Sequence, residues 1–224
     1  MIIMGHRGAA ALAPENTLLS MATAMEIGVD AVEIDVHLSK DNEIVVIHDA
    51  TVDRTTNGTG AVNRLLLEEI KKLDAGQGEA IPTLQEVVDF IQGKVKLVIE
   101  LKGAGTEAPV VELIKSNGLW ENVYVISFWH RLVRTVKEMD SRIKTGVLFV
   151  GCPVDTSFAA AVSADALVMK YTFVDKRFVD TAHKEGFRVF IWNIDDPHLV
   201  RPYAAMGVDG MGSNDPRVLI DSFR

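Results

Sequence analysis

The chain has 224 residues, 48% of them hydrophobic and 24% charged, which predicts a single globular domain over residues 1–224 with a full core. Its 31 acidic and 23 basic residues give a formal net charge of −8, which argues against a general nucleic-acid-binding protein. The single cysteine excludes a disulfide framework. With no leader-like segment and no apolar run of about 18 residues, the sequence favours a cytoplasmic protein without stable membrane insertion.

Short apolar strands alternate with amphipathic helical segments along the whole chain. The predicted strands cover residues 2–6, 31–36, 96–101, 123–127, 145–149, 166–170, 188–193 and 208–213. Eight strand–helix units in a chain of this length predict an α/β fold of the (β/α)8 TIM-barrel type. A doubly wound open sheet is the alternative, but the segment after the first strand lacks the glycine-rich phosphate turn that such sheets usually carry.

The second strand is followed by a predicted β-hairpin. A Lys-Asp-Asn turn signal separates it from an apolar return arm at residues 43–48. Pairing Leu38 with Glu43 would bring His48 back beside Glu33. Residues 49–81 then form an insertion without a barrel strand, and a loop of this length usually has a function, such as walling a substrate pocket.

Two carboxylates lie on one face of the second strand, because strand side chains alternate and Glu33 and Asp35 are two residues apart. Burying two like charges is unfavourable unless a cation compensates, and oxygen ligands favour Mg2+ or Ca2+. The third strand ends similarly, with Glu100 and Lys102 on one face. A structural network of ion pairs is the alternative interpretation for these groups.

The first strand ends in His6 and Arg7. In a TIM barrel the carboxyl ends of the strands form the active site, so these residues are expected to meet the acidic ones. Two imidazoles, His6 and His48, can act as general acid and base, while Arg7 and Lys102 can hold a phosphate. Together with a divalent metal, this set indicates phosphodiester cleavage.

Several motifs, in this order and spacing, resemble the glycerophosphodiester phosphodiesterase family over essentially the whole chain. They are His6-Arg7-Gly8, Pro14-Glu15-Asn16-Thr17, Glu33-x-Asp35, His48-Asp49, Asp53-Arg54-Thr55-Thr56-Asn57-Gly58-x-Gly60, Ile81-Pro82-Thr83-Leu84 and Glu100-x-Lys102. The resemblance implies a metal-dependent barrel enzyme that splits glycerophosphodiesters, small-molecule substrates, into an alcohol and glycerol 3-phosphate. The roles it implies are metal ligation by Glu33, Asp35 and Glu100, acid–base catalysis by His6 and His48, and phosphate binding by Arg7 and Lys102.

The chain departs from the family pattern at its last two strands. Where family members often read Trp-Thr-Val-Asn, it has Trp192-Asn193-Ile194-Asp195, and its final strand ends Gly212-Ser213-Asn214 instead of Ile-Thr-Asp. These departures bear on the pocket wall and hence on the preferred alcohol. Phe128 and Trp192 lie at strand ends, where they either line the substrate pocket or plug the barrel top.

Two other functions are compatible with the same motifs. One is a phospholipase D-like activity on lysolipids, which would need an apolar entry path. The other is a non-catalytic phosphodiester- or metal-binding protein, against which two histidines beside an intact acidic trio argue. The sequence leaves open the choice between Mg2+ and Ca2+, the alcohol, and whether the chain forms a homo-oligomer.

Overall fold

Eight parallel strands form a closed barrel in the computed structural model, which describes residues 1–153 and 155–223. The strands are β1 (Ile2–Gly5), β2 (Ala31–Leu38), β4 (Lys96–Leu101), β5 (Val123–Ser127), β6 (Lys144–Phe149), β7 (Ala166–Lys170), β8 (Arg188–Trp192) and β9 (Gly210–Ser213). The ladder runs β1-β9-β8-β7-β6-β5-β4-β2 and closes where β1 pairs with β2. The predicted (β/α)8 TIM barrel is therefore confirmed.

Helices connect the strands and cover the outside of the barrel. They are α1 (Leu18–Ile27), α2 (Leu67–Ile70), α3 (Leu84–Ile91), α4 (Glu107–Ser116), α5 (His130–Met139), α6 (Ser157–Ala160), α7 (Lys176–Lys184), α8 (Pro197–Met206) and α9 (Arg217–Asp221). Two short 3-10 helices occupy Val62–Arg64 and Tyr171–Phe173. No helix among the described residues combines the length and the apolar character needed to cross a bilayer.

Helix boundaries follow local sequence signals. Thr17 caps α1 by accepting a hydrogen bond from the backbone N–H of Ser20, and the helix ends at Gly28 in the left-handed conformation. Thr83 and Glu86 form a capping box at the start of α3.

The barrel has an apolar interior and an apolar shell. Inward-facing side chains from successive strands form the interior cluster, which is Met4, Ala31, Val98, Tyr124, Ile126, Leu148, Ala166, Val168 and Phe190. The outward-facing residues of the same strands pack against the helices in two larger clusters. Because strand side chains alternate, the inward positions at the carboxyl ends are left for polar groups.

The predicted hairpin is present, but the register that the sequence predicted for it was wrong by one residue. β3 (Ile44–Val46) runs antiparallel to β2, and Leu38 pairs with Ile44 instead of Glu43. The loop takes five residues, 39–43, because the backbone N–H and the side chain of Ser39 bond across it to Glu43. His48 still returns to the same end of the barrel as Glu33.

The segment 49–81 packs beside this hairpin. It contains the 3-10 helix Val62–Arg64 and α2, and an antiparallel bridge joins Thr51 to Ala61. Its buried apolar side chains form a small cluster with β3. The members of the cluster are Val45, Ile47, Val52, Val62, Ile70, Ala75 and Ile81. The insertion thus has its own core, which is separate from the barrel interior.

Candidate active site

A cavity of about 230 Å³ opens at the carboxyl ends of the barrel strands. The predicted site residues that line it are His6, Arg7, Glu33, His48, Glu100, Lys102, Phe128 and Trp192. Asp35 lies fully buried beside it. The structure therefore brings together the residues that the sequence predicted for catalysis, phosphate binding and metal binding.

Three buried carboxylates lie within metal-binding distance of one another. Glu33, Asp35 and Glu100 each offer an oxygen atom, and these atoms all lie within 4.8 Å of one another. Glu100 is placed there because Asp35 pairs with it across the parallel β2–β4 ladder. Burial, together with the charges of Asp35 and Glu100, raises the pKa of Glu33 well above its usual value. Burial and the Asp35 charge also raise the pKa of Glu100 to about 7.

The donor set of this trio fits a divalent cation. Among the described residues, Oε1 of Glu33 and Oδ1 of Asp35 have no hydrogen-bond partner although both atoms are buried. Lys102 compensates only part of the negative charge, with its Nζ 2.9 Å from Oε1 of Glu100 and 3.5 Å from Oδ1 of Asp35. Hard cations prefer carboxylate oxygens of this kind, so Glu33, Asp35 and Glu100 could hold Mg2+ or Ca2+.

Arg7 reaches the trio because the chain turns sharply after β1. Arg7 and Gly8 have φ angles of 51° and 82°, and a Cβ on Gly8 would lie 2.3 Å from Oγ of Ser20, so the second position requires glycine. The backbone N–H of Arg7 donates to Oε2 of Glu33 at 3.0 Å. Its guanidinium lies 3.3 Å from Oδ2 of Asp35. The turn thus brings the backbone N–H of Arg7 to Glu33 and its guanidinium to Asp35.

His6 lies at the edge of the trio, with Nε2 at 3.8 Å from Oε2 of Glu33. Its Nδ1 lies 2.7 Å from Oδ1 of Asn214, and Nδ2 of Asn193 lies 3.0 Å from the same ring nitrogen. Burial and the positive charge of Arg7 lower the pKa of His6, which favours a neutral ring. A neutral imidazole with a free ring nitrogen can accept a proton.

His48 is held by a carboxylate. Its Nδ1 lies 2.6 Å from Oδ1 of Asp49, and its backbone carbonyl lies 3.0 Å from Nε2 of His37. Hydrogen bonds from Arg54, and a further one from His48, keep the pKa of Asp49 well below its usual range despite partial burial. By accepting a hydrogen bond from Nδ1, the carboxylate of Asp49 orients the His48 ring.

Glu15 and Asn16 brace the site through hydrogen bonds to Arg7, Arg54 and Asp35. Burial would raise the pKa of Glu15, but hydrogen bonds from Arg54 and Arg7 outweigh it and lower that pKa to about 2. Asn16 donates to Oδ2 of Asp35 at 2.9 Å and accepts from the Asp35 backbone at 3.2 Å. The N-cap of α1 is supplied by the next residue along the chain.

An aromatic wall faces the charged groups across the cavity. Phe128 and Trp192 meet edge to face, with ring centroids 6.1 Å apart, and Phe128 is 43% exposed. Nε1 of Trp192 is buried without a hydrogen-bond partner among the described residues. None of the cavity-lining residues comes from 49–81, so the prediction that the insertion walls the substrate end was wrong. The buried apolar residues of the insertion pack together in its own small core.

Sequence reasoning missed several residues that contact the predicted ones. Asn193 and Asn214 meet His6, Asp195 holds Asn214, and Arg54 links Asp49 to Glu15. Asn214 is 208 positions from His6, so no local pattern connects them. The available signal was positional, because residues after the last two strands of a barrel meet those after the first.

Comparison with known proteins identifies the family. Residues 6–218 match the family model of the glycerophosphoryl diester phosphodiesterase family. The chain belongs to this family. A glycerophosphodiester phosphodiesterase of Caldanaerobacter subterraneus subsp. tengcongensis is 40% identical, with 100% of this chain and 98% of that protein covered.

Solved structures of family members share the fold over the full length. A glycerophosphodiester phosphodiesterase from Agrobacterium tumefaciens superposes with a TM-score of 0.89 at 28% identity, covering 99% of each chain. A phosphodiesterase from Oleispira antarctica, solved in complex with the product sn-glycerol-3-phosphate, gives a TM-score of 0.91 at 29% identity. That alignment covers 100% of this chain and 96% of the relative.

Proposed function

We propose that this chain hydrolyses glycerophosphodiesters to an alcohol and sn-glycerol 3-phosphate, with a divalent metal on the acidic trio and with His6 and His48 as the acid–base pair. The observation that carries the proposal is the convergence of Glu33, Asp35 and Glu100 with both histidines at one cavity. Family membership and the product held by the Oleispira antarctica relative support the same reaction.

The phosphate end of the cavity is its charged side. Arg7 and Lys102 supply positive charge beside the trio, and the planar guanidinium of Arg7 suits two phosphate oxygens at once. A divalent cation, Mg2+ or Ca2+, held by Glu33, Asp35 and Glu100 would supply further positive charge beside the phosphate. Binding there would also relieve the repulsion that raises the pKa values of Glu33 and Glu100.

The two histidines differ in their surroundings, and this difference assigns their roles in the proposal. His6 contacts neutral amides and lies beside Arg7, so its neutral ring accepts through Nε2 the proton of the group that attacks phosphorus, either water or the glycerol hydroxyl of the substrate, whose cyclic product water then opens. His48 donates the proton to the departing alcohol, and the hydrogen bond from its Nδ1 to the carboxylate of Asp49 orients its ring for this step.

The alcohol end is the aromatic wall in this proposal. Phe128 and Trp192 line the cavity with their aromatic rings, whose centroids are 6.1 Å apart. An electron-rich aromatic face is also suited to a cationic headgroup such as choline. The predictions of a cytoplasmic location and a homo-oligomer stay predictions.

The test is release of glycerol 3-phosphate from glycerophosphocholine and from lysophosphatidylcholine, each with Mg2+, with Ca2+ and with EDTA. We expect release from glycerophosphocholine that EDTA abolishes and that metal restores. Faster turnover of lysophosphatidylcholine would favour the lysolipid alternative. Binding of glycerophosphocholine without release under any metal condition would favour a non-catalytic binding protein.

A further inference from the structure

Asp195 accepts three hydrogen bonds from the segment that ends β9. Oγ of Ser213 donates to its Oδ1 at 2.7 Å, and the backbone N–H of Asn214 donates to the same oxygen at 2.8 Å. The side-chain Nδ2 of Asn214 donates to its Oδ2 at 2.6 Å. Because an ionised carboxylate can only accept, this contact fixes which end of the Asn214 amide faces Asp195.

The fixed amide determines what His6 encounters. With its NH2 group held by Asp195, Asn214 presents its carbonyl oxygen to Nδ1 of His6 at 2.7 Å. A carbonyl also only accepts, so the proton of a neutral His6 ring must lie on Nδ1. Nε2 then carries a lone pair on the side of the ring that approaches Glu33.

The second amide at His6 is consistent with this tautomer after a rotation about χ2. Nδ2 of Asn193 lies 3.0 Å from Nδ1 of His6, which cannot accept it while donating to Asn214. Oδ1 of Asn193 is buried and has no partner in the described parts of the chain. Turning the amide by about 180° places this oxygen beside Nδ1 and moves the NH2 group to the buried position that Oδ1 now occupies.

We infer that Asp195 is a positioning residue that, through Asn214, holds His6 in the Nδ1-protonated tautomer and so keeps Nε2 free to accept a proton. Neither residue touches the reacting atoms in this scheme. The inference rests on the proposed role of His6 in catalysis. The alternative is that the three hydrogen bonds only tie the end of β8 to the end of β9.

A single substitution separates the two interpretations, because it changes donors without changing size. In Asp195→Asn the new amide must keep its oxygen toward Ser213 and the Asn214 backbone, so its NH2 group faces the NH2 group of Asn214. The Asn214 amide is then expected to turn over and present NH2 to His6. This would move the ring proton from Nδ1 to Nε2 and remove the lone pair that the reaction needs.

A double substitution should reverse the effect. In Asp195→Asn/Asn214→Asp every hydrogen bond of the original arrangement has a donor and an acceptor again. The amide oxygen at position 195 accepts from Ser213, its NH2 group donates to the carboxylate at position 214, and that carboxylate accepts from Nδ1 of His6. Rescue of this kind is specific to the order of donors and acceptors, which a purely structural role would not require.

The experiment combines kinetics with ¹⁵N NMR of histidine in the Mg2+-loaded protein. We expect Asp195→Asn to lower kcat on glycerophosphocholine by about tenfold or more with KM changed less than about threefold, and the double variant to recover most of kcat. The ring shifts of His6 should show Nδ1 protonated in the wild type and the double variant, and Nε2 protonated in Asp195→Asn. Asn214→Ala, which keeps the bond from Ser213 to Asp195, is the second variant and should also lose the defined Nδ1 tautomer.

Asp209→Asn is the matched control. Asp209 also accepts hydrogen bonds from a histidine, His183, and from a backbone N–H, that of Val189, but it lies at the amino end of β8, away from His6. It should leave the tautomer of His6 and kcat unchanged. An Asp195→Asn variant with the Nδ1 tautomer and normal kcat overturns the inference, as does a folded double variant without recovery. An active His6→Ala variant would instead overturn the proposed function.

Discussion

His48 and Asp49 are neighbours in sequence whose side chains are also bonded, with Nδ1 of the ring 2.6 Å from Oδ1 of the carboxylate. Arg54 holds the Asp49 side chain in place, because its guanidinium donates to both carboxylate oxygens of Asp49 at 2.7 and 3.1 Å. Arg54 also donates to both oxygens of Glu15, at 2.9 and 2.8 Å. The proposed acid is therefore oriented by a residue of the insertion.

Arg54→Ala should lower kcat several-fold while leaving KM almost unchanged, because the orientation of His48 is loosened but no cavity-lining group is lost. Arg54 is 48% exposed, so the loss in free energy of unfolding should be only about 1 kcal/mol. Kinetics and urea unfolding measure both effects. Arg201→Ala, on the exposed face of α8, is the matched control and should change neither. An Arg54→Ala enzyme with normal kcat would show that Asp49 alone orients His48.

His6 and His48 should act as a unit. Each single alanine variant should lose on the order of a hundredfold or more in kcat, because proton acceptance and donation are both needed in one turnover. The double variant should lose about as much as either single one, since the remaining catalysis uses neither group. Steady-state kinetics of the three variants gives the comparison. Additive losses would contradict the pairing.

The acidic trio should be necessary for metal binding but not for folding. Glu33→Ala, Asp35→Ala and Glu100→Ala should each abolish activity, because the cation loses a ligand. The barrel should persist, since removing one of several buried like charges relieves repulsion in the metal-free protein. Calorimetric titration with Mg2+ and circular dichroism measure the two properties. Near-normal turnover of any variant at saturating metal would remove that residue from the ligand set.

The metal-free protein should become less stable as the pH rises from about 4.5 to 7. The folded state raises the pKa of Glu100 from 4.5 to about 7, so in this range it binds more protons than the unfolded chain. The free energy of unfolding therefore falls with rising pH, by on the order of 1 kcal/mol per pH unit for one such group. Urea unfolding in EDTA at several pH values should show the decline in the wild type.

The difference between the wild type and Glu100→Gln isolates the contribution of the acidic trio, because titrating groups away from the trio contribute equally to both proteins. The variant should decline less over the same range. Adding Mg2+ to the wild type should also reduce the decline, because the cation favours the ionised carboxylates. A difference that stays constant between pH 4.5 and 7 would contradict the raised pKa.

Substitutions at the phosphate end and at the alcohol end of the cavity should have different effects on substrate preference. Arg7→Lys should lower kcat/KM for glycerophosphocholine, glycerophosphoethanolamine and glycerophosphoglycerol by similar factors, because the planar fork is lost whatever alcohol is attached. Phe128→Ala should instead change the ranking among these substrates by a modest factor. Shortening the 55–60 turn is the control and should preserve the ranking, because that turn does not line the cavity. If Arg7→Lys changed the ranking among the three substrates, the assignment of the phosphate end to Arg7 would be wrong.

Much of the fold could be predicted because it depends on local patterns. The strands 123–127 and 166–170 were predicted to the residue, since each is a short apolar run bounded by turn signals. The hairpin register could not be predicted in this way. It depends on Ser39 bonding across the loop to Glu43, and loops of four and five residues are both common there.

The site residues also differ in whether a local sequence pattern predicts them. Glu33, Asp35, Glu100 and Lys102 could be predicted because they follow strand alternation, which a single sequence displays. The contacts of Asn214 could not, because they join the two ends of the chain through barrel closure, and the chemistry of an amide alone does not indicate which atom it presents. The wall formed by Phe128 depends in the same way on which loops extend over the cavity.

The acidic trio is complete only when β4 is correctly aligned on β2, because this alignment pairs Asp35 with Glu100. If β4 slipped by one residue against β2, Glu100 would turn to the opposite face and the third carboxylate would leave the site. A chain that has collapsed with the wrong strand alignment therefore cannot bind the ion as the native chain does. During refolding, cation binding at the trio would report that β4 has aligned natively against β2, which spectroscopic measures of secondary structure alone cannot distinguish.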